Sequence, residues 1–298
     1  MSGFGPSGRD SFQQRIAHAM RLMGCDLLRW HSPRATVRRG GAEGERFEVD
    51  MSLLAAQSGA SIGEMDAVDI ALTLSGLLGL PLSADATSEF ERVQPYLRPR
   101  LVTRASLGGR RRQMCRRDAF GELVSGISIG PGAGASFVTT QQLDAWGLEF
   151  DAAMHQAVGN LRIAMGPESV FDTEGAPGVL AVVPEQEQGS SAYFVLDHLF
   201  PEVTPERGMV FSVPGDDVLL LMPVEPGAGA AGLAGLVQMT CSMAAERTEP
   251  LCDQVFWRVA GRVVRLPLTI IDEGGSRRAH LEASGDVQEL LRVLGALG

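Results

Sequence analysis

MVFSVPGDDVLLLMPV, residues 209–224, decides the fold class of this chain. Two apolar runs stand either side of Pro214, Gly215, Asp216 and Asp217, residue types that make type I turns. So short a connection joins antiparallel strands, because a parallel pair needs a crossover of a dozen or more residues. Downstream, LAGLVQMTCSMAAE predicts a helix of small residues, and QVFWRVAGRVVRLPL predicts a second hairpin with Gly261 near its turn. Upstream, VLAVVP predicts a buried strand and SSAYFVLDHLF a helix capped by Ser190 or Ser191.

The opening 80 residues predict helix, three strands and helix. Asp10 and Gln13 suggest an N-cap with its box partner, followed by Phe12, Ile16, Ala19, Met20 and Met23 on one helical face. CDLLRWH, RATVRR and ERFEVDM are strand-like, and Met65, Val68, Leu72 and Leu78 recur at helical spacing. PRLVTRA, RQMCRRD, ELVSGISI and ASFVTT continue as strands. LDAWGLEFDAAMHQAVGNLRIAM then predicts a short helix, a break at Gly147 and a longer helix. Helices and strands alternate in clusters, so the expected class is α+β, with mostly antiparallel sheets packed by helices in two lobes. The expected divisions are 1–95, 96–268, and 269–298 as polar linker plus C-terminal helix.

GPGAGAS, residues 130–136, raises the question of a nucleotide site. A phosphate-binding loop runs from strand into helix, whereas this one lies between two strand-like runs. A Walker loop also needs a lysine, and the chain has none: all 26 basic residues are arginine. A glycine-rich hairpin turn is the expectation, with no cofactor.

The net charge of −10 argues against broad nucleic-acid binding. Cys25, Cys115, Cys241 and Cys252 show no metal-ligand spacing, so no metal is expected, and scattered thiols suit a reducing cytoplasm. The start MSGFGPSGRDSF lacks a signal-peptide pattern, and the apolar run IALTLSGLLGLPL is too short to span a bilayer. A cytoplasmic protein with no membrane partner is expected.

Three stretches carry a family resemblance: LDAWGLEFDAAMHQAVGNLR, RGMVFSVPGDDVLLLMPV and GLVQMTCSMAAE ahead of a final hairpin. Their order resembles the YtpQ-like family of bacterial proteins, a domain of unknown function, over roughly residues 10–268. The positions matching its recurrent pattern are Asn160, Leu161, Pro214 and Asp217. The resemblance implies no activity, cofactor or partner. The arginine-rich stretch, the loop 226–232 and the extra C-terminal helix depart from the pattern.

Catalysis would need a nucleophile and base. His18, His31, His155, His198 and His280 lie in no nucleophile elbow, and Cys252, after Pro250, offers an exposed thiol at best. Asn160 and Asp217 suit capping and turn-making. One charge shift stands out. RPRLVTRASLGGRRRQMCRR, residues 98–117, holds eight arginines and no acid. Arg104, Arg110, Arg111, Arg112, Arg116 and Arg117 are the candidate protein-binding residues, facing an acidic partner or the molecule's own carboxylates. No aromatic residue interleaves them, so nucleic acid is disfavoured. The expectation is a non-catalytic interaction module, an adaptor, chaperone-like or regulatory protein. The alternatives are an enzyme without a sequence signature or a weak nucleic-acid binder.

Overall fold

The computed structural model describes residues 6–296 except 32, 41–42, 53, 55–64, 79–81, 84–86, 108–112, 131–134, 186 and 274–275. Arg110, Arg111 and Arg112, and the centre of the glycine run, therefore lie outside the described residues. The fold is α+β, and every strand pairing with a defined register is antiparallel. Two compact units emerge, Met1–Arg98 with Ser128–Ala157, and Pro99–Ile127 with Val158–Gly298.

In the first unit, α1 (Pro6–Leu22) leads into a meander of β1 (Cys25–His31), β2 (Arg34–Arg39) and β3 (Glu45–Asp50), followed by α2 (Ala67–Leu78). The helix starts one turn before Asp10. Pro6 takes its first position, where a missing N–H costs nothing, and Asp10 falls inside rather than at the cap. Ile16, Ala19, Met20 and Met23 are buried, as their spacing predicts, against Ala35 and Val37 of the central strand and Ile70, Ala71 and Leu74 of α2. Asp66 caps α2, its carboxylate accepting from the N–H groups of Val68 and Asp69 at 2.8 and 3.0 Å. Further along come α3 (Phe90–Val93), α4 (Thr140–Trp146), broken at left-handed Gly147, and α5 (Phe150–Ala164).

β4 (Leu97–Thr103), β5 (Arg116–Asp118) and β6 (Leu123–Ile129) form a sheet in the order β4-β6-β5, with β7 (Ser136–Phe137) also on β6. Ile129 pairs with Ser136 and Ser128 with Phe137, so the strands bracketing the glycine run are partners in one antiparallel ladder. That is a hairpin connection, not a strand-to-helix phosphate loop.

The second unit is built on six strands in the order β13-β12-β10-β11-β9-β8. These are β8 (Val170–Asp172), β9 (Leu180–Val182), β10 (Met209–Gly215), β11 (Val218–Pro223), β12 (Val255–Val259) and β13 (Arg262–Leu266). The stretch at 209–224 supplies the two central strands, buried over nearly their whole length. Apolar residues at successive positions fit a sheet covered on both faces. Phe211, Leu219, Leu221, Val182 and Phe256 face one core; Val210, Met222, Val255 and Trp257 face the other. On the first face Phe120, Tyr193, Phe211 and Phe256 cluster with ring centroids 4.6–5.6 Å apart.

The second face is covered by α7 (Ala231–Glu246), whose Leu233, Leu236 and Val237 join that core. Its small residues serve close packing: a Cβ at Gly235 would meet Ala176 at 2.6 Å. The C-terminal helix α8 (Gly285–Val293) docks on the same core through Val287 and Leu290, and Ser284 caps it.

Two expectations are corrected. SSAYFVLDHLF is a 3-10 turn over Gly189–Val195 followed by the short α6 (Leu196–Leu199), with Ser190 and Ser191 inside the turn and no side-chain cap. Ser191 Oγ instead donates to the Pro99 carbonyl at 2.8 Å. The stretch expected as a polar linker is a hairpin of β14 (Leu268–Glu273) and β15 (Ser276–Leu281). Leu268, Ala279 and Leu281 alternate onto the second core, and a Gly-Gly pair between alternating runs is a hairpin signal that composition alone disguises.

Candidate interaction surface

The arginine stripe does not lie on a pair of bonded strands. β6 separates β4 from β5, and the stripe's members have different fates. Arg98 donates to the carbonyls of Pro95 and Leu97, both at 3.0 Å. Arg100 is 3% exposed, and its charge acts on the Asp216 carboxyl. Arg104 forms an ion pair with Asp118 at 2.6 Å. Arg116 and Arg117 sit on β5, the outer strand, where all three residues are exposed. The order along the chain therefore spends part of the stripe inside the second unit and leaves its last pair on a sheet edge.

β5 is held in place from behind. It pairs with β6 over Arg116–Gly126, Arg117–Ser125 and Asp118–Val124. In the turn that follows, Phe120 is inserted into the aromatic cluster, its ring 4.8 Å from Phe256 and 5.2 Å from Phe211. Gly121 has φ +54°, and a Cβ there would lie 3.0 Å from the Phe256 ring. The turn thus needs glycine on two counts, conformation and space.

Of the four positions on which the family resemblance rests, Leu161 and Pro214 are buried. Leu161 is fully buried in the first core of the second unit, and Asn160 beside it on α5 is half-buried. Pro214 is buried in β10, and its carbonyl accepts the Leu251 N–H at 3.2 Å. Asp217 is exposed at the hairpin tip. Neither Asp216 nor Asp217 has positive φ, which excludes the mirror-image turns, and the ladder slips between Ser212 and Gly215. The Asp217 carboxylate accepts from the Arg247 guanidinium at 2.5 Å, so its partner comes from the residue after α7. The guanidinium lies across Gly215, where any Cβ would collide with it. Asp216 is exposed as a residue, yet desolvation of its carboxyl raises its pKa, opposed by Arg100 and Arg247.

Nucleophile chemistry finds little material in the residues expected for it. Cys252 is 9% exposed, not open to solvent, and burial pushes its thiol up to about 11, so it stays protonated at neutral pH. His155 and His198 are exposed on α5 and α6. A polar cleft of about 280 Å³, lined by Asp253, Gln254, Arg265 and Glu282, includes neither His198, Asp217 nor Cys252. Among the described residues no group of three His, Cys, Asp or Glu side chains could hold a metal ion. Among them, too, no helix is long and apolar enough to cross a membrane.

A second surface was not anticipated. β8 is an end strand of the six-stranded sheet, and its Phe171 is 52% exposed, with Val183 just beyond β9 at 44%. Comparisons with protein-family models, curated proteins and solved structures each return no match.

Proposed function

We propose that this chain is a non-catalytic protein-interaction module of the cytoplasm, an adaptor, chaperone-like or regulatory protein. It meets an acidic protein surface through Arg116 and Arg117. The observation that carries this reading is their position: arginines at successive places on an exposed edge strand, one to each face, in a strand anchored through Phe120 and a chain of net charge −10. Arginine suits the task, since its planar fork matches carboxylates bidentately and holds its charge at any physiological pH. The order of the three sequence motifs supports, as part of the same proposal, divergent membership of the YtpQ-like family.

Charged edge strands also have a protective use, because charge deters edge-to-edge aggregation. Replacing Arg116 and Arg117 by Glu separates the two roles. Glutamate keeps the edge charged and unattractive to other strands, while it repels an acidic partner. The tagged chain purified from its native cells should carry a stoichiometric protein that the Glu-Glu variant loses, with the unfolding midpoint unchanged. Equal recovery of that protein by both chains would remove β5 from the account. Retention on heparin and DNA with steep salt dependence would favour nucleic acid instead.

A further inference from the structure

We propose that the β8–β9 edge of the second unit is a docking site for an extended basic peptide that adds to the sheet as a further strand. This stands on a different strand from β5 and does not depend on it.

The register identifies what the edge offers. The Val183 N–H donates to the Ser169 carbonyl at 2.8 Å, and the Thr173 N–H to the Val179 carbonyl at 3.1 Å. Residues 169, 171 and 173 therefore turn their backbone groups towards β9. Alternation sends the N–H and C=O of Asp172 and the C=O of Val170 away from it, while the Val170 N–H is taken by the Pro167 carbonyl. Side chains alternate as well. Val170 and Val182 face the core, and Phe171, paired with Ala181, faces the opposite way with Val183 as its diagonal neighbour. This is the face that α7 covers over β10 and β11. At the β8 end Phe171 and Val183 remain exposed.

Charge chooses the occupant. Residues 163–206 contain eight acidic residues and no arginine. Glu168, Asp172, Glu174 and Glu185 border the edge and are exposed. Edge strands are commonly guarded by basic side chains, and β8 has none. So short a strand gives limited backbone bonding. An incoming chain needs apolar side chains for Phe171 and Val183, alternating with cations for the carboxylates. Strand addition of this kind takes its affinity from main-chain bonds and its selectivity from alternate side chains.

The probe is a fluorescent peptide of roughly eight residues alternating arginine and valine, titrated into the full chain and read by anisotropy. Saturable binding is expected, weakened about tenfold or more by Phe171→Ser and by the pair Asp172→Arg, Glu174→Arg, and abolished by N-methylation of alternate peptide amides. These positions are exposed, so the unfolding midpoint should hold; if one variant fails to fold, the other and the N-methylated peptide still decide. The Arg116→Glu, Arg117→Glu chain should bind the peptide undiminished, which separates this inference from the function proposed for β5. Binding indifferent to Phe171→Ser and N-methylation would reduce the site to non-specific charge and overturn the proposal. Absence of binding would overturn it too. So would concentration-dependent self-association lost on Phe171→Ser without peptide binding, which would make the occupant a second copy.

Discussion

Arg116-Arg117-Asp118 and Val170-Phe171-Asp172 are both three-residue strands at the end of a sheet, and both finish in aspartate. They differ in the first two residues, and that difference reverses their chemistry. β5 presents guanidinium groups, repels other basic edges and invites carboxylates. β8 presents an aromatic ring in an acidic surround and invites an apolar, basic strand. An open edge has backbone groups for any comer, so side chains decide who is accepted.

Both edges rest on the packed interior behind them, and the harshest way to break the contrast is from inside. Phe211 lies at the centre of the aromatic cluster, fully buried. Phe211→Ala should cost about 3–5 kcal/mol in denaturant unfolding, from lost burial and the cavity left behind. A cost below about 1 kcal/mol would mean that the cluster is not the support of either edge.

A thiol tests whether the same interior is dry. Burial pushes the Cys252 thiol up to about 11, from about 9 for an exposed thiol. The folded chain then holds a proton that the unfolded chain has released, so stability falls as pH rises from about 9 to 11, by up to about 2–3 kcal/mol. Cys252→Ala should flatten that limb of the stability profile. In the native chain at neutral pH the thiol should resist alkylation, and rapid labelling would show an open sheet.

Smaller effects are expected at the hairpin tip. Arg247→Ala should cost about 0.2–1 kcal/mol, since Asp217 is largely exposed to solvent. The smallest belong to the edges themselves. Phe171→Ser and the Arg116, Arg117 reversal should each leave the unfolding free energy within about 0.5 kcal/mol while changing binding. A large loss of stability at either would make that edge a structural element.

What the sequence discloses about the two edges follows the same contrast. The arginine stripe is visible as composition, but its division is not. That Arg100 is buried and Arg104 ion-paired depends on β6 entering between β4 and β5, which the order of the chain conceals. β8 is invisible for a different reason. VFD is too short to show a period of two, and its exposed ring has meaning only once its place at the sheet end is known. The central hairpin at 209–224 is legible because turn chemistry and apolar runs are local signals. The tail hairpin carries such a signal too, in Gly274-Gly275 between alternating runs, and its many polar residues mask it. Asp217 lies in the expected turn, but its partner Arg247 is thirty positions away.

The decisive measurement is the affinity of the recovered acidic partner for three chains: the native chain, Arg116→Lys with Arg117→Lys, and Arg116→Glu with Arg117→Glu. Lysine should retain most of the binding, glutamate should weaken it more than about tenfold, and added salt should narrow the gap. Equal affinity across the three at low salt would contradict the role proposed for Arg116 and Arg117.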